Sequence, residues 1–97
     1  MPRLRTHPGE ILAEEYMKPF GLSANALGQA IGVPGNRISE IVRGRRDLSA
    51  DTAIRVGLYF NVDPRFWLDL QSAYELSRAQ RENDYSSVRP RRAEVAA

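Results

Sequence analysis

Two short apolar stripes flank Gly32, and together they constrain this chain more than any other feature. In the stretch SANALGQAIGVPGNRISEIVRGRR, Ala24, Leu27, Gly28 and Ile31 recur at i, i+3, i+4, i+7, one face of a helix. Ser23 is a good N-cap for that helix. Pro34 can open a second helix, whose buried positions are Ile38, Ile41 and Val42 and whose end is Gly44. Gly32 supplies the positive φ that a sharp helix exit needs. Gly28 is small, as required where one helix lies close under another. Two helices of about eight to ten residues joined by a turn of about three is helix-turn-helix geometry.

The flanks carry the same kind of punctuation. Ahead of the pair, Pro8 and Glu10 start a helix in which Leu12, Tyr16 and Phe20 share a face, and Pro19 and Gly21 stop it. Behind it, Ser49 caps a fourth helix with Asp51 in its first turn. Ala50, Ala53, Ile54, Gly57 and Leu58 form its stripe, Phe60 extends it and Asn61 ends it. Asp63-Pro64 is the strongest start signal in the chain, an N-cap aspartate before a proline at the first helical position. Phe66, Trp67, Leu70, Ala73 and Tyr74 then make a fifth stripe, which fades near Glu82. No stretch alternates with period two for long enough to be a strand. The sequence therefore predicts an all-α, five-helix bundle over 1–82, followed by a polar tail over 83–97 that is disordered when free. Ninety-seven residues hold one such domain, and a core that small is often helped by a partner or by dimerisation.

Several function classes drop out. No apolar run approaches the roughly 18–20 residues that cross a bilayer, and no apolar segment follows the first arginines as a secretory signal requires. There are no cysteines and only one histidine, His7, so disulfides, thiolate metal sites and multi-histidine metal sites are excluded. No nucleophile–base pair, phosphate loop or metal spacing is present, so neither an enzyme nor a cofactor site is expected. His7 itself reads as a helix-start residue whose ring caps or packs. Net charge is only +2, so a polyanion would have to meet a local cluster. Residues 36–46 supply one: Arg37, Arg43, Arg45 and Arg46 against Glu40 alone.

In a helix-turn-helix, the N-terminal residues of the second helix face base edges in the major groove. With Ile38 and Ile41 turned inward, Gly35, Asn36, Arg37, Ser39, Glu40 and Arg43 are left for a groove or for solvent. Asn suits adenine and Arg suits guanine. Arg43, Arg45 and Arg46 at the far end are placed for phosphates. The plainer alternative is a helical hairpin whose arginines only solvate a surface.

The blocks HPGEIL, RISEIVRG, SADTAIR and FWLDLQ occur in this order over residues 7–76. With them the chain resembles the lambda-repressor-like (XRE) helix-turn-helix class and, within it, HigA-type antitoxins. The resemblance implies a bacterial or phage origin and a cytoplasmic protein that dimerises and represses its own operon. It also implies a partner toxin, a RelE-like ribosome-dependent mRNA interferase. The family's recognition positions fall on Pro34–Arg43, with Gly35, Asn36, Arg37, Ser39 and Glu40 base-facing. Ser23, Ala24 and Asn25 would meet a phosphate through backbone N–H groups. Two departures matter: much of the wider class carries a polar cap where Pro34 stands and a Gln where Ala24 stands. Both absences remove a side-chain contact to DNA, which puts more weight on Asn36, Arg37 and DNA shape.

The remaining features fit around that frame. Phe66, Trp67, Leu70 and Tyr74 are core candidates that could also serve a dimer contact. A dimer would set two recognition helices about 34 Å apart on a pseudo-palindromic operator. Glu10, Glu14 and Glu15 make an acidic face suited to a basic toxin, or simply a solvated one. Arg89, Arg91 and Arg92 in the tail could brush DNA or fold on a partner. Two rival readings stay open: a stand-alone repressor of the same fold without a toxin, and a helical protein-interaction adaptor that does not touch DNA.

Overall fold

The computed structural model describes residues 5–91. His7 begins the first helical stretch. Its Nδ1 accepts the Gly9 amide at 2.9 Å, so the ring caps α1 (Pro8–Ile11), with Pro8 where a missing N–H costs nothing. α1 continues without a break into a π-helical segment, Leu12–Met17, and a 3-10 turn, Lys18–Phe20. In a π turn residue i+5 replaces i+4 over residue i. Met17, not Tyr16, therefore follows Leu12 into the core. The expected Leu12/Tyr16/Phe20 stripe is broken: Tyr16 is half-buried and Phe20 is 69% exposed.

The next two helices form where the sequence predicts them, but Ala24 and Val42, expected on their inward faces, are only half-buried. Ser23 Oγ accepts from the Ala26 amide at 3.0 Å and caps α2 (Ala24–Ile31), which buries Leu27, Gly28 and Ile31. Gly32, at φ 78°, closes α2, and its N–H and that of Val33 both bond to the Gly28 carbonyl, at 2.8 and 2.9 Å. This paired closure satisfies a carbonyl that the helix end would leave orphaned. Pro34 stays extended as the N-cap, so α3 (Gly35–Val42) begins one residue later than Pro34 itself. α2 lies so close under the turn and α3 that a Cβ on Gly28 would stand 2.7 Å from the Val33 carbonyl oxygen and 3.1 Å from the Gly35 nitrogen.

Ser49 caps α4 (Ala50–Phe60), accepting from the Thr52 amide at 3.3 Å. Asp63 caps α5 (Pro64–Glu82), accepting from the Arg65 amide at 2.9 Å. Hydrogen bonds from Arg65, side chain first and amide second, hold the Asp63 carboxyl below its usual range. Leu12, Leu27, Ile38, Ile41, Val56 and Trp67 are sealed from solvent and form the centre of one core.

The inward faces of α4 and α5 differ from the expected stripes. α4 buries Thr52, Ala53, Val56 and Gly57, while Ile54 is 51% and Leu58 80% exposed. Thr52 can go inside because its Oγ1 accepts from Ser49 Oγ at 3.2 Å, so its polar atom is not orphaned. In α5, Trp67 is buried, but Phe66, about 100° around the helix, is 40% exposed. Gln71 and Ser77 are buried instead. Ser77 Oγ accepts the Arg5 amide and donates to the Tyr74 carbonyl, both at 2.9 Å, which ties the described N-terminus to α5. Residues 83–91 form no helix, make one turn at 85–88 and are exposed. Arg92, expected to act with Arg89 and Arg91, lies outside the described residues.

Candidate nucleic-acid interface

α3 is anchored by Ile38 and Ile41, both fully buried, so its other face turns outward. Asn36 is exposed, and Arg37, Ser39 and Glu40 are half-buried. Arg37 is only loosely held, with Nη1 3.9 Å from an Asp51 carboxylate oxygen. Asp51 is bound more tightly to Arg55, at 2.9 Å. Glu40 is not free: it pairs with Arg46 at 3.0 Å. Arg43 and Arg45 are exposed and have no ion-pair partner among the described residues. Gly35 does not face open space. Its Cβ position is filled by the side chain of Asn25, so no side chain at 35 could enter a groove directly. Ser23 and Asn25 are exposed at the start of α2, and Ala24 is half-buried.

The loop that carries Arg45 and Arg46 is fixed from beneath by residues that sequence reasoning did not assign to the site. Gln71 of α5 is buried. Its Oε1 accepts the Leu48 amide at 2.8 Å and its Nε2 donates to Asp47 Oδ1 at 3.1 Å. His7 packs edge-on against the Tyr74 ring, 4.8 Å between centroids, and lies beneath Gly44. Burial lowers the His7 pKa below its usual value, and the Asp47 charge and the Arg46 carbonyl oppose this only in part. Nε2 makes no hydrogen bond of normal geometry. Arg55 was missed as well. Its Nη1 donates to the Ile31 carbonyl at 2.8 Å and locks α4 onto the end of α2. The Asp51/Arg55 spacing of four was a visible signal for half of that link; the carbonyl 24 residues away was not.

The other expected surfaces separate. Of the proposed dimer residues, Trp67 offers nothing to a second copy because it is 0% exposed inside the protomer. Leu70 and Tyr74 are both half-buried, Tyr74 against His7, and Phe66 is exposed. Glu10, Glu14 and Glu15 are all exposed on the first helical stretch, and Glu14 pairs with Lys18. Phe20, Leu22, Tyr59 and Phe60 line a shallow groove of about 450 Å³. No described helix is long and apolar enough to cross a membrane.

A capped α2, a tight glycine turn and an outward-facing α3 beside free arginines define a helix-turn-helix protein. The Helix-turn-helix family model matches residues 14–67, and the chain belongs to that family, whose members are DNA-binding regulators and antitoxins rather than enzymes. It is 54% identical over 82 residues to virulence-associated protein I of Dichelobacter nodosus, covering 84% of this chain and 76% of the relative. Its fold superposes on antitoxin GraA in complex with its operator, with a TM-score of 0.89, 38% identity and 96% and 97% of the two chains covered. The Pseudomonas aeruginosa antitoxin HigA with the higBA promoter gives 0.86, 41% identity and coverage of 91% and 98%.

Proposed function

We propose that this chain is the antitoxin of a toxin–antitoxin pair. It binds its own operator as a homodimer, represses it in the bacterial cytoplasm, and neutralises a RelE-like mRNA interferase. The observation that carries the DNA part is α3 itself: Asn36 and Arg37 sit at its outer end, and the unpaired Arg43 and Arg45 follow it. Its likeness to chains solved on operator and promoter DNA supports the same reading. Asn36 and Arg37 read bases; Arg43 and Arg45 hold phosphates. Arg46 reaches a phosphate only by exchanging its pair with Glu40. Ser23, Ala24 and Asn25 meet the backbone at the start of α2.

Two recognition helices about 34 Å apart require a second copy. Phe66 and Leu70 of α5, with exposed Ile54 and Leu58 of α4, supply apolar surface for it. Leu58→Lys should give a folded monomer in sedimentation; an unchanged dimer would remove that face. A toxin that cleaves mRNA must hold a polyanion and is therefore basic. Exposed Glu10, Glu14 and Glu15 fit such a partner, and reversal of Glu14 and Glu15 without loss of toxin affinity would remove this contact. The deciding experiment is a titration of the protein's own upstream DNA at two salt concentrations, with Arg37→Ala beside the parent. Tight binding that weakens steeply with salt and is lost in the variant is the expected result. No binding at either salt would leave the motif as a scaffold for protein contacts.

A further inference from the structure

Gly35 opens the recognition helix, and what lies beside it is another residue's side chain. A Cβ at position 35 would stand 1.9 Å from Asn25 Oδ1, 3.0 Å from its Cγ and 3.1 Å from its Cα. One turn further along α2, a Cβ on Gly28 would come within 3.1 Å of the Gly35 nitrogen and 3.2 Å of its Cα. Asn25 and Gly28 thus form one seat, and the first residue of α3 rests in it. The ordinary means of fixing a helix start is missing here: the N-cap is Pro34, which makes no side-chain cap. Among the described residues the Asn25 carboxamide makes no hydrogen bond that competes for its position. Asn25 itself is exposed, and Gly35 beside it is half-buried.

We infer that Asn25 is a positioning residue for DNA recognition. Its carboxamide fills the Cβ site of Gly35 and so sets the angle at which the first turn of α3 presents Asn36 and Arg37. The inference rests on the proposal that α3 reads DNA. The pairing is reciprocal. The carboxamide can stand there only because residue 35 has no side chain, and α3 keeps its seat only while the carboxamide is there. A methyl at 35 meets the far end of a flexible side chain first, so Gly35→Ala should swing Asn25 away rather than unfold the pair. Alanine is also the better helix former.

The test is a double-mutant cycle on operator affinity with Asn25→Ala, Gly35→Ala and the double variant. Each single change should weaken binding about tenfold, and the double change by the same tenfold, because both remove one seat. Binding to operators substituted one base pair at a time gives a second readout. Asn25→Ala should relax discrimination at the base pairs that Asn36→Ala also relaxes, whereas general destabilisation would lower affinity for all operators alike. Losses that add to about a hundredfold in the double variant, or Asn25→Ala with parental affinity and profile, would overturn the inference. If Gly35→Ala proves unfolded by circular dichroism, the Asn25→Ala profile decides alone. Failure of the parent protein to bind its upstream DNA is a separate outcome and would remove the DNA-reading proposal itself.

Discussion

Gln71→Met tests whether a single buried amide holds the basic loop in place. Gln71 Oε1 is the acceptor for the Leu48 N–H, and Leu48 is sealed in the core at 1% exposure. Methionine matches the length and flexibility of glutamine and leaves no cavity, so the substitution isolates the polar contribution. Stranding a buried N–H costs about 1–3 kcal/mol, and the bond from Nε2 to the Asp47 carboxylate adds about 1 kcal/mol. Burying an apolar side chain regains about 1 kcal/mol. The net loss is about 1–3 kcal/mol, which for a domain of this size lowers Tm by roughly 5–20 °C. Thermal melting measures the sum, and amide hydrogen exchange at Leu48 locates it. Operator affinity should fall as well at temperatures where the variant is folded, because the anchor of Arg45 and Arg46 is gone. A Tm within about 2 °C of the parent, with the Leu48 amide still protected, would refute the claim that Gln71 holds this loop.

Three further outcomes follow from the packing. His7 has its pKa lowered by burial, so the unfolded chain takes up the proton first. Its contribution to stability is complete above about pH 6.5 and is lost as pH falls from there through the folded value. Protonation of Nδ1 also ends its role as acceptor for the Gly9 amide. Denaturant melts at pH 7.5 and 5.5 should show the loss in the parent and a smaller one in His7→Asn, which keeps a capping oxygen without titrating. Gly28→Ala drives a methyl against the Val33 carbonyl and should cost about 1–3 kcal/mol in urea unfolding. Arg55→Lys cannot bond both Asp51 and the Ile31 carbonyl. It should lose about 1–2 kcal/mol, and a double cycle with Asp51→Ala should show less than additive loss.

The caps were legible in the sequence because each acts within three residues. Ser23, Ser49 and Asp63 bond to amides two or three positions on, and Gly32 is a local requirement of the turn. The faces of the helices were less legible. In α4, Ala53 and Gly57 lie between two pairs, Ile54 and Leu58 on one side and Thr52 and Val56 on the other, and the expected stripe took the first pair. Hydrophobicity favoured the first pair. The structure uses the second, since the Ser49 cap satisfies the Thr52 hydroxyl and α5 leaves the Ile54 side uncovered. In the first helical stretch, one π turn moved Met17 inward and Phe20 outward, a change that no fixed period anticipates.

The same distinction runs through the interface. Asn36, Arg37, Arg43 and Arg45 were expected on the surface because a recognition helix needs polar residues at those offsets, and Asn36, Arg43 and Arg45 are exposed while Arg37 is half-buried. What holds them was not visible: Gln71 acts across 23 residues, Arg55 across 24, and Asn25 meets Gly35 ten positions away. Each is a polar helix residue whose decisive contact lies far away in sequence, where no local pattern announces it. They divide the work of keeping α3 and its loop rigid, while Arg37 is held only loosely by Asp51 at 3.9 Å. A free Arg43 beside a mobile loop would lose affinity to the cost of ordering that loop. Here the loop is already tied to the core at Leu48 and capped beneath by His7. On the proposed reading the arginines meet phosphate from a preset position, and changes at Gln71 or His7 should then alter operator binding.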